Sequence, residues 1–384
     1  MAKIYVPQNE DPVIIDADFE GGSIGQVMRL GENYYFLELR PDTTYQFSVR
    51  LRNCRGRKLV LAFCCRDYAK ENADHNGGSR HWRWPSGLVK PVVSGDRKHW
   101  REVDHFENDR STFDGLYTIV HTFDTDVAYL ASAEPYLYSD LLEYLDSLPA
   151  DPRMKRSVFG LSRNQIEQPL LTFSDNPENR HAVLLIARED ADEFTCSYAI
   201  EGMINHLISH APECDAALKK FTFYIAPMVG VDGVIAGSYH SAGYGYGGRL
   251  FHRDNPPEEI DNVKKLLRSI VDGGHELALA GTLHGKWSMA LDPFQNPVNF
   301  LAASPKLEQA LYRGETKDWR PAHWEGSLLI RPQGFFSRYT IDEFGLHDVF
   351  ECHASGHSIE QIRNLGRDLL KALLKFLEDK YSGD

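Results

Sequence analysis

From about residue 150 onward, apolar runs of strand length alternate with segments of helical periodicity, and this alternation restricts the fold more than any other feature of the chain. Residues 158–161, 170–173, 182–186, 221–226, 277–283 and 348–352 read as strands. Residues 195–209, 258–271 and 358–379 read as helices. In the first of these, Tyr198, Ile200, Met203, Ile204, Leu207 and Ile208 recur near the helical period. The pattern predicts an α/β domain with a mixed or parallel sheet flanked by helices. In such a sheet, ligands bind in the crevice beyond the carboxyl ends of the strands.

Residues 1 to about 130 have a different texture. Short β-branched and aromatic runs occupy 34–39, 44–51, 58–65, 117–123 and 126–130, punctuated by turn residues at Arg40-Pro41-Asp42 and Asn53 to Arg57. In the second run Tyr45, Phe47, Val49 and Leu51 alternate with Gln46, Ser48, Arg50 and Arg52. One buried and one wet face predict an antiparallel β-sandwich. Pro135 ends the last strand, and Ser139 is placed to cap a helix that uses Leu141, Leu142 and Leu145. The expected division is therefore a β-sandwich over residues 1–134 and an α/β domain over residues 135–384.

The net charge of −13 argues against a nucleic-acid partner. No apolar run has signal-peptide or membrane-spanning length, so no membrane association is expected. The cysteines Cys54, Cys64, Cys65, Cys196, Cys214 and Cys352 contain no C-x-x-C pair and read as free buried thiols of a reducing compartment, with the cytoplasm as the expected location. His75 and His81 lie either in a metal-binding stretch or, more simply, in a long Gly-rich hairpin loop that also carries Trp82 and Trp84. The run Tyr244-Gly-Tyr-Gly-Gly lacks the register of a nucleotide-binding loop.

Chemistry concentrates where the strands of the second domain end. The strand at 182–186 runs into Arg188-Glu-Asp-Ala-Asp-Glu193, a tight loop with four acidic side chains. Such a loop is either a metal site or a solvated helix start stabilised by the macrodipole, and taken alone the second is the more ordinary. His284 follows the strand at 277–283, Asp232-Gly233 follows the strand at 221–226, and Glu351 lies within an apolar strand. A catalytic metal commonly takes three protein ligands and leaves a position for water, and Asp190, Glu193 and His284 can supply them. Two carboxylates and one imidazole form a harder set than two imidazoles and a carboxylate, which brings Mn²⁺ and Mg²⁺ into consideration beside zinc. Glu351 is then a candidate general base. Asp232-Gly233 by itself is a turn signal.

Taken in order, several segments resemble the zinc metallocarboxypeptidases, and most of all their cytosolic branch. Phe19-Glu-Gly-Gly-Ser-Ile-Gly is similar to the start of that branch's N-terminal β-sandwich. Pro135-Tyr-Leu-Tyr-Ser resembles its linker into the peptidase domain, and Pro227-Met-Val-Gly-Val-Asp-Gly-Val, Gly237-Ser-Tyr-His, Thr282-Leu-His-Gly-Lys and Val349-Phe-Glu-Cys resemble successive motifs of that domain. The resemblance implies a hydrolase that cleaves a peptide or amide bond, using one divalent metal, zinc by default, on Asp190, Glu193 and His284 with Glu351 as base. Asp190 stands where the family has a ligand His. His240 falls on the position of the oxyanion-stabilising Arg, and Arg249 is retained to pair with a substrate carboxylate although its Asn neighbour is lost. The alternative reading is a catalytically inactive, carboxypeptidase-like binding protein.

Overall fold

The computed structural model describes residues 11–40, 47–64, 90–109, 116–238, 250–285, 298–302, 304–313, 336–354 and 358–383. Its internal contacts divide the chain into one unit formed by Met1–Leu137 with Val234–Tyr239 and a second formed by Tyr138–Gly233 with His240–Asp384.

The first unit contains β1 (Ile14–Asp16), β2 (Val27–Arg29), β3 (Tyr34–Glu38), β4 (Ser48–Arg52), β5 (Lys58–Cys64), β6 (Val92–Ser94), β7 (Arg101–Glu102), β8 (His105–Asp109), β9 (Leu116–Thr122) and β10 (Val127–Ala131). They form two five-stranded sheets, ordered β1-β4-β10-β6-β7 and β2-β3-β5-β9-β8. The first is antiparallel throughout. The second is not, because β3 and β5 run parallel, which corrects the expectation of purely antiparallel pairing. Between them in sequence the chain visits β4 in the other sheet, and that crossover returns it in its original direction. The alternation read from sequence is realised from Val49 to Arg52, where Val49 and Leu51 are buried and Arg50 and Arg52 reach outward to Asp16 at 2.7 and 2.9 Å, but Ser48, expected on the wet face, is buried too. Tyr45 and Gln46 lie outside the described residues. One buried cluster combines Tyr35, Leu37, Leu61, Phe63 and Ile119 from one sheet with Val49, Leu51, Val93 and Leu130 from the other.

The second unit holds α1 (Tyr138–Ser147), β11 (Met154–Leu161), β12 (Glu167–Phe173), β13 (His181–Ala187), α2 (Thr195–Leu207), α3 (Pro212–Leu218), β14 (Phe221–Ala226), the start of α4 (Val231–Ile235), α5 (Glu258–Asp272), β15 (Glu276–His284), β16 (Val298–Ala302), α6 (Pro305–Arg313), α7 (Phe336–Phe344), β17 (Val349–Ala354) and α8 (Ile359–Lys380). The sheet order is β11-β12-β14-β13-β15-β17-β16. Its four central strands are mutually parallel and its edges antiparallel, the mixed sheet expected from the alternation. Buried on both faces, β13 is apolar along six consecutive residues from Ala182 to Ala187. Ser139 lies one residue inside α1 and does not precede it, since a short polar residue marks a helix start only to within a residue or two. The described cysteines Cys54, Cys196, Cys214 and Cys352 are buried and unpaired, as expected.

His121 on β9 ties the fold of the first unit to pH. The ring is buried, Nδ1 accepts the Asp104 backbone N–H at 3.1 Å, and Nε2 has no partner among the described residues. Burial lowers its pKa below the usual histidine value, outweighing the attraction of Asp104 and Asp124, while Arg101 adds to the lowering. Below the unfolded-state value, near 6.5, the unfolded chain binds a proton that the folded chain resists, so stability falls with pH until the folded ring also titrates. Thermal melts at pH 7.5 and 5.0 should therefore show a larger loss of Tm in wild type than in His121→Gln. An equal loss in both would remove His121 as the cause.

Candidate metal centre

β13 delivers the chain to the centre of the sheet, and Arg188, in a left-handed conformation at φ 60°, turns it sharply. The backbone N–H groups of Val229 and Gly230 donate to the carbonyls of Ala187 and Arg188 at 3.0 and 2.8 Å, which fixes the start of the loop. The Arg188 guanidinium folds back inside it. Nε and Nη2 both donate to the Ala191 carbonyl, at 2.9 and 2.7 Å, and Nη1 donates to Ser197 Oγ at 2.9 Å. The Cys196 backbone N–H donates to the Glu193 carbonyl, so the loop passes directly into α2.

The acidic loop is not a solvated helix start. Glu189, Asp190, Asp192 and Glu193 are 1%, 5%, 2% and 4% exposed. This corrects the ordinary reading of the loop: twelve of the thirteen residues of α2 are buried, so its N-terminus does not meet bulk water. Carboxylates crowded in a low-dielectric setting repel one another unless a cation offsets them.

β15 brings His284 to this loop. In the parallel register Ile186 lies beside Thr282 and Ala187 beside Leu283, so His284 stands just beyond the end of β13. His284 Nδ1 is 2.7 Å from Glu193 Oε2, and Nε2 is 3.3 Å from both Glu189 Oε2 and Thr282 Oγ1. The Thr282 hydroxyl donates to Glu189 Oε2 at 3.0 Å. Gly285 follows because a Cβ there would sit 2.1 Å from the Ala354 carbonyl oxygen and 2.4 Å from Thr195 Oγ1. Burial alone would lower the His284 pKa, but Glu193, Glu189 and Glu351 together hold it up to about 10. Burial, with Asp190 and Glu351, pushes Glu189 up to about 8 against the pull of His284 and Thr282.

Glu351 lies on β17, in register with Thr282 of β15, and so belongs to the same face of the sheet as Thr282 and His284. It is 1% exposed and accepts a short hydrogen bond from the buried Ser337 hydroxyl of α7.

Ligand atoms of Asp190, Glu193 and His284 all lie within 4.8 Å of one another, so the three sequence candidates converge on one buried point. Two carboxylate oxygens and an imidazole nitrogen, with the carboxyls of Glu189 and Glu351 nearby, suit a divalent cation, whose charge would relieve the crowding. Asp232 serves the scaffold instead: it accepts from the Ser162 hydroxyl and from the Asn164 backbone N–H at 3.0 Å, closing the turn between β11 and β12. His240, Arg249, His75, His81, Trp82, Trp84 and the Tyr244 to Gly248 run lie outside the described residues. Glu189, Thr282 and Ser337 were not singled out from sequence. Thr282 had a signal, its spacing of two residues from His284 on a strand; Glu189 and Ser337 had none beyond their polarity.

Comparison with solved structures defines the class of fold. A metallo-carboxypeptidase from Burkholderia cenocepacia superimposes with a TM-score of 0.73 at 20% identity, covering 96% of this chain and 100% of that one. A metallo-carboxypeptidase from Pseudomonas aeruginosa gives 0.72 at 17% identity, covering 95% and 99%. At this identity the likeness concerns the fold. Residues 141–253 match the zinc carboxypeptidase family. The chain is similar to cytosolic carboxypeptidase 2 of Xenopus tropicalis, 28% identical over 247 residues, which make up 58% of this chain and 25% of that protein. It is also similar to human cytosolic carboxypeptidase 6, 26% identical over 282 residues, 66% of this chain and 53% of that protein. The match thus spans about a quarter to a half of the length of these relatives. Among the described residues no helix is long and apolar enough to cross a membrane.

Arg188 is the fixed cation within the acidic loop. Arg188→Leu should destabilise the second unit by about 3–5 kcal/mol, the usual result of stranding a buried charge partner. Saturating divalent cation should recover part of that loss by offsetting the carboxylates. Urea melts with and without zinc would check both, and a change below about 1 kcal/mol would show that the loop does not depend on the guanidinium.

Proposed function

We propose that the chain is a divergent metallocarboxypeptidase that hydrolyses a peptide or amide bond, with Asp190, Glu193 and His284 holding one divalent metal, zinc by family, and Glu351 as general base. One observation carries the reading: the three side chains meet within 4.8 Å, and Glu351 lies on the strand beside His284. Bound there, a divalent cation would polarise the scissile carbonyl and acidify the attacking water. Glu351 takes the proton from that water and returns it to the leaving amine. Ser337, by donating to Glu351 Oε1, helps to hold the carboxylate in place. By resemblance, His240 donates to the developing oxyanion and Arg249 forms a bidentate pair with a substrate carboxylate. The substrate is a peptide or amide with a free carboxylate, the location cytoplasmic, and residues 1–134 a separate β-sandwich domain. The shared cluster between the two five-stranded sheets supports that last assignment.

A specific observation also favours the second reading, a non-catalytic binding protein. His284 and Glu193 already face each other at hydrogen-bond distance, so the pair is satisfied by itself. Two substitutions separate the readings. Asp190→His restores an imidazole to the ligand set, and zinc binding should tighten by roughly tenfold or more, because imidazole suits zinc better than a carboxylate does. The same change removes a charge from an oxygen-rich site, so Mn²⁺ binding should weaken. Calorimetric titration with each metal checks this. Zinc affinity that is unchanged or lower would take Asp190 out of the ligand set.

Glu351→Gln should lower kcat by about 10²–10⁴-fold while leaving metal content near wild type. Stopped assays on carboxylate-terminated peptides, with elemental analysis of the same samples, measure both. Loss of metal together with activity would make Glu351 a ligand and not the base.

A further inference from the structure

His284 is held from both sides of its ring, and only one side belongs to the ligand set. Nδ1 faces Glu193, and Nε2 faces Glu189 Oε2 and Thr282 Oγ1, each at 3.3 Å. The Thr282 hydroxyl hydrogen is committed to Glu189 Oε2 at 3.0 Å, which leaves the hydroxyl lone pairs turned to the imidazole. Nε2 is thus flanked by a carboxyl oxygen at ion-pair distance and by a hydroxyl oxygen. Nδ1 lies on the other side of the ring, toward Glu193. All three groups are buried: Glu189 is 1%, Thr282 1% and His284 6% exposed. The strand register sets the Thr282 position and the loop sets Glu189, so the acceptor pair is fixed independently of His284.

We infer that Glu189 and Thr282 form a positioning pair for His284, which accepts the Nε2 hydrogen, fixes the ring and presents Nδ1 toward Asp190 and Glu193. This rests on the reading of His284 as a metal ligand. A second carboxylate that orients an imidazole ligand is retained for geometry and ligand basicity, and its loss typically weakens metal binding by about 10–100-fold. Here the acidic residue adjacent to Asp190 supplies it, so three of the loop's acids divide in role: Asp190 and Glu193 on the metal side, and Glu189 behind the imidazole.

The test uses the full chain as wild type, Glu189→Gln, Glu189→Leu and Thr282→Val, with two readouts. The first is zinc affinity by calorimetry. The second is the exchange protection of the His284 Nε2–H by NMR on ¹⁵N-histidine-labelled, metal-free protein. Wild type should show a protected Nε2–H. Glu189→Gln keeps a carbonyl acceptor and should stay close to wild type in both readouts. Glu189→Leu should lose the protection and weaken zinc about 10–100-fold, with Thr282→Val shifted in the same direction. A Glu189→Leu protein that keeps both properties would overturn the inference. So would Glu189→Gln as impaired as Glu189→Leu, since charge or direct ligation would then be the cause. If Glu189→Leu fails to fold, the comparison of wild type, Glu189→Gln and Thr282→Val decides the matter. Wild type that binds neither zinc nor manganese would overturn the proposed function, while the metal-free NMR comparison would still decide the contact with Glu189.

Discussion

The interaction on which the site depends is the one between the Arg188 guanidinium and the backbone of its own loop. Three of its donors are spent on the Ala191 carbonyl and Ser197 Oγ. They pull a six-residue acidic stretch into a tight turn at the end of β13. A guanidinium can do this because its rigid fork satisfies several acceptors at once and keeps its charge when buried. The positive charge lies within a group of carboxyls that would otherwise repel one another, so the loop's shape and its electrostatics have the same origin.

The sheet decides what meets that loop. Because β14, β13, β15 and β17 are parallel, their carboxyl ends open on one side, and each contributes its following residues to the same region. β13 contributes the acids and β15 contributes Thr282 and His284. β17 contributes Glu351 from within the strand, held by Ser337 of α7. A shift of one residue in the β13–β15 register would turn Thr282 and His284 to the opposite face and separate the histidine from Glu193. The apolar side chains that fix the register are therefore as necessary to the site as its polar ones.

Burial gives the cluster its chemical character. In water the acids at 189, 190, 192 and 193 would ionise independently and hold little for one another. Inside the domain, desolvation and mutual repulsion raise the Glu189 pKa, and the surrounding acids raise that of His284. A divalent cation would relieve both effects, and this supports the proposed reading of these residues as a metal site.

The sequence by itself determined the elements and most of the candidate ligands. The apolar runs at 182–186, 221–226 and 277–283 and the helical stripe from Tyr198 reappear as β13, β14, β15 and α2, with ends moved by a residue or two. They were legible because hydrophobic period is a local property. Asp190, Glu193 and His284 were legible because they follow strand ends, and Glu351 because a carboxylate within an apolar strand is unusual. Tertiary structure alone decided that the acidic loop is buried, since burial of a loop depends on what packs over it, and here α2 is enclosed almost entirely. It alone set Asp232, in α4, to brace the turn between β11 and β12, and it brought Glu189 beside His284, 95 positions away in the chain. It also set β3 beside β5 in parallel, against the antiparallel expectation. Pairing between distant segments leaves no periodic trace in either segment, and so it belongs to the fold and not to the sequence pattern.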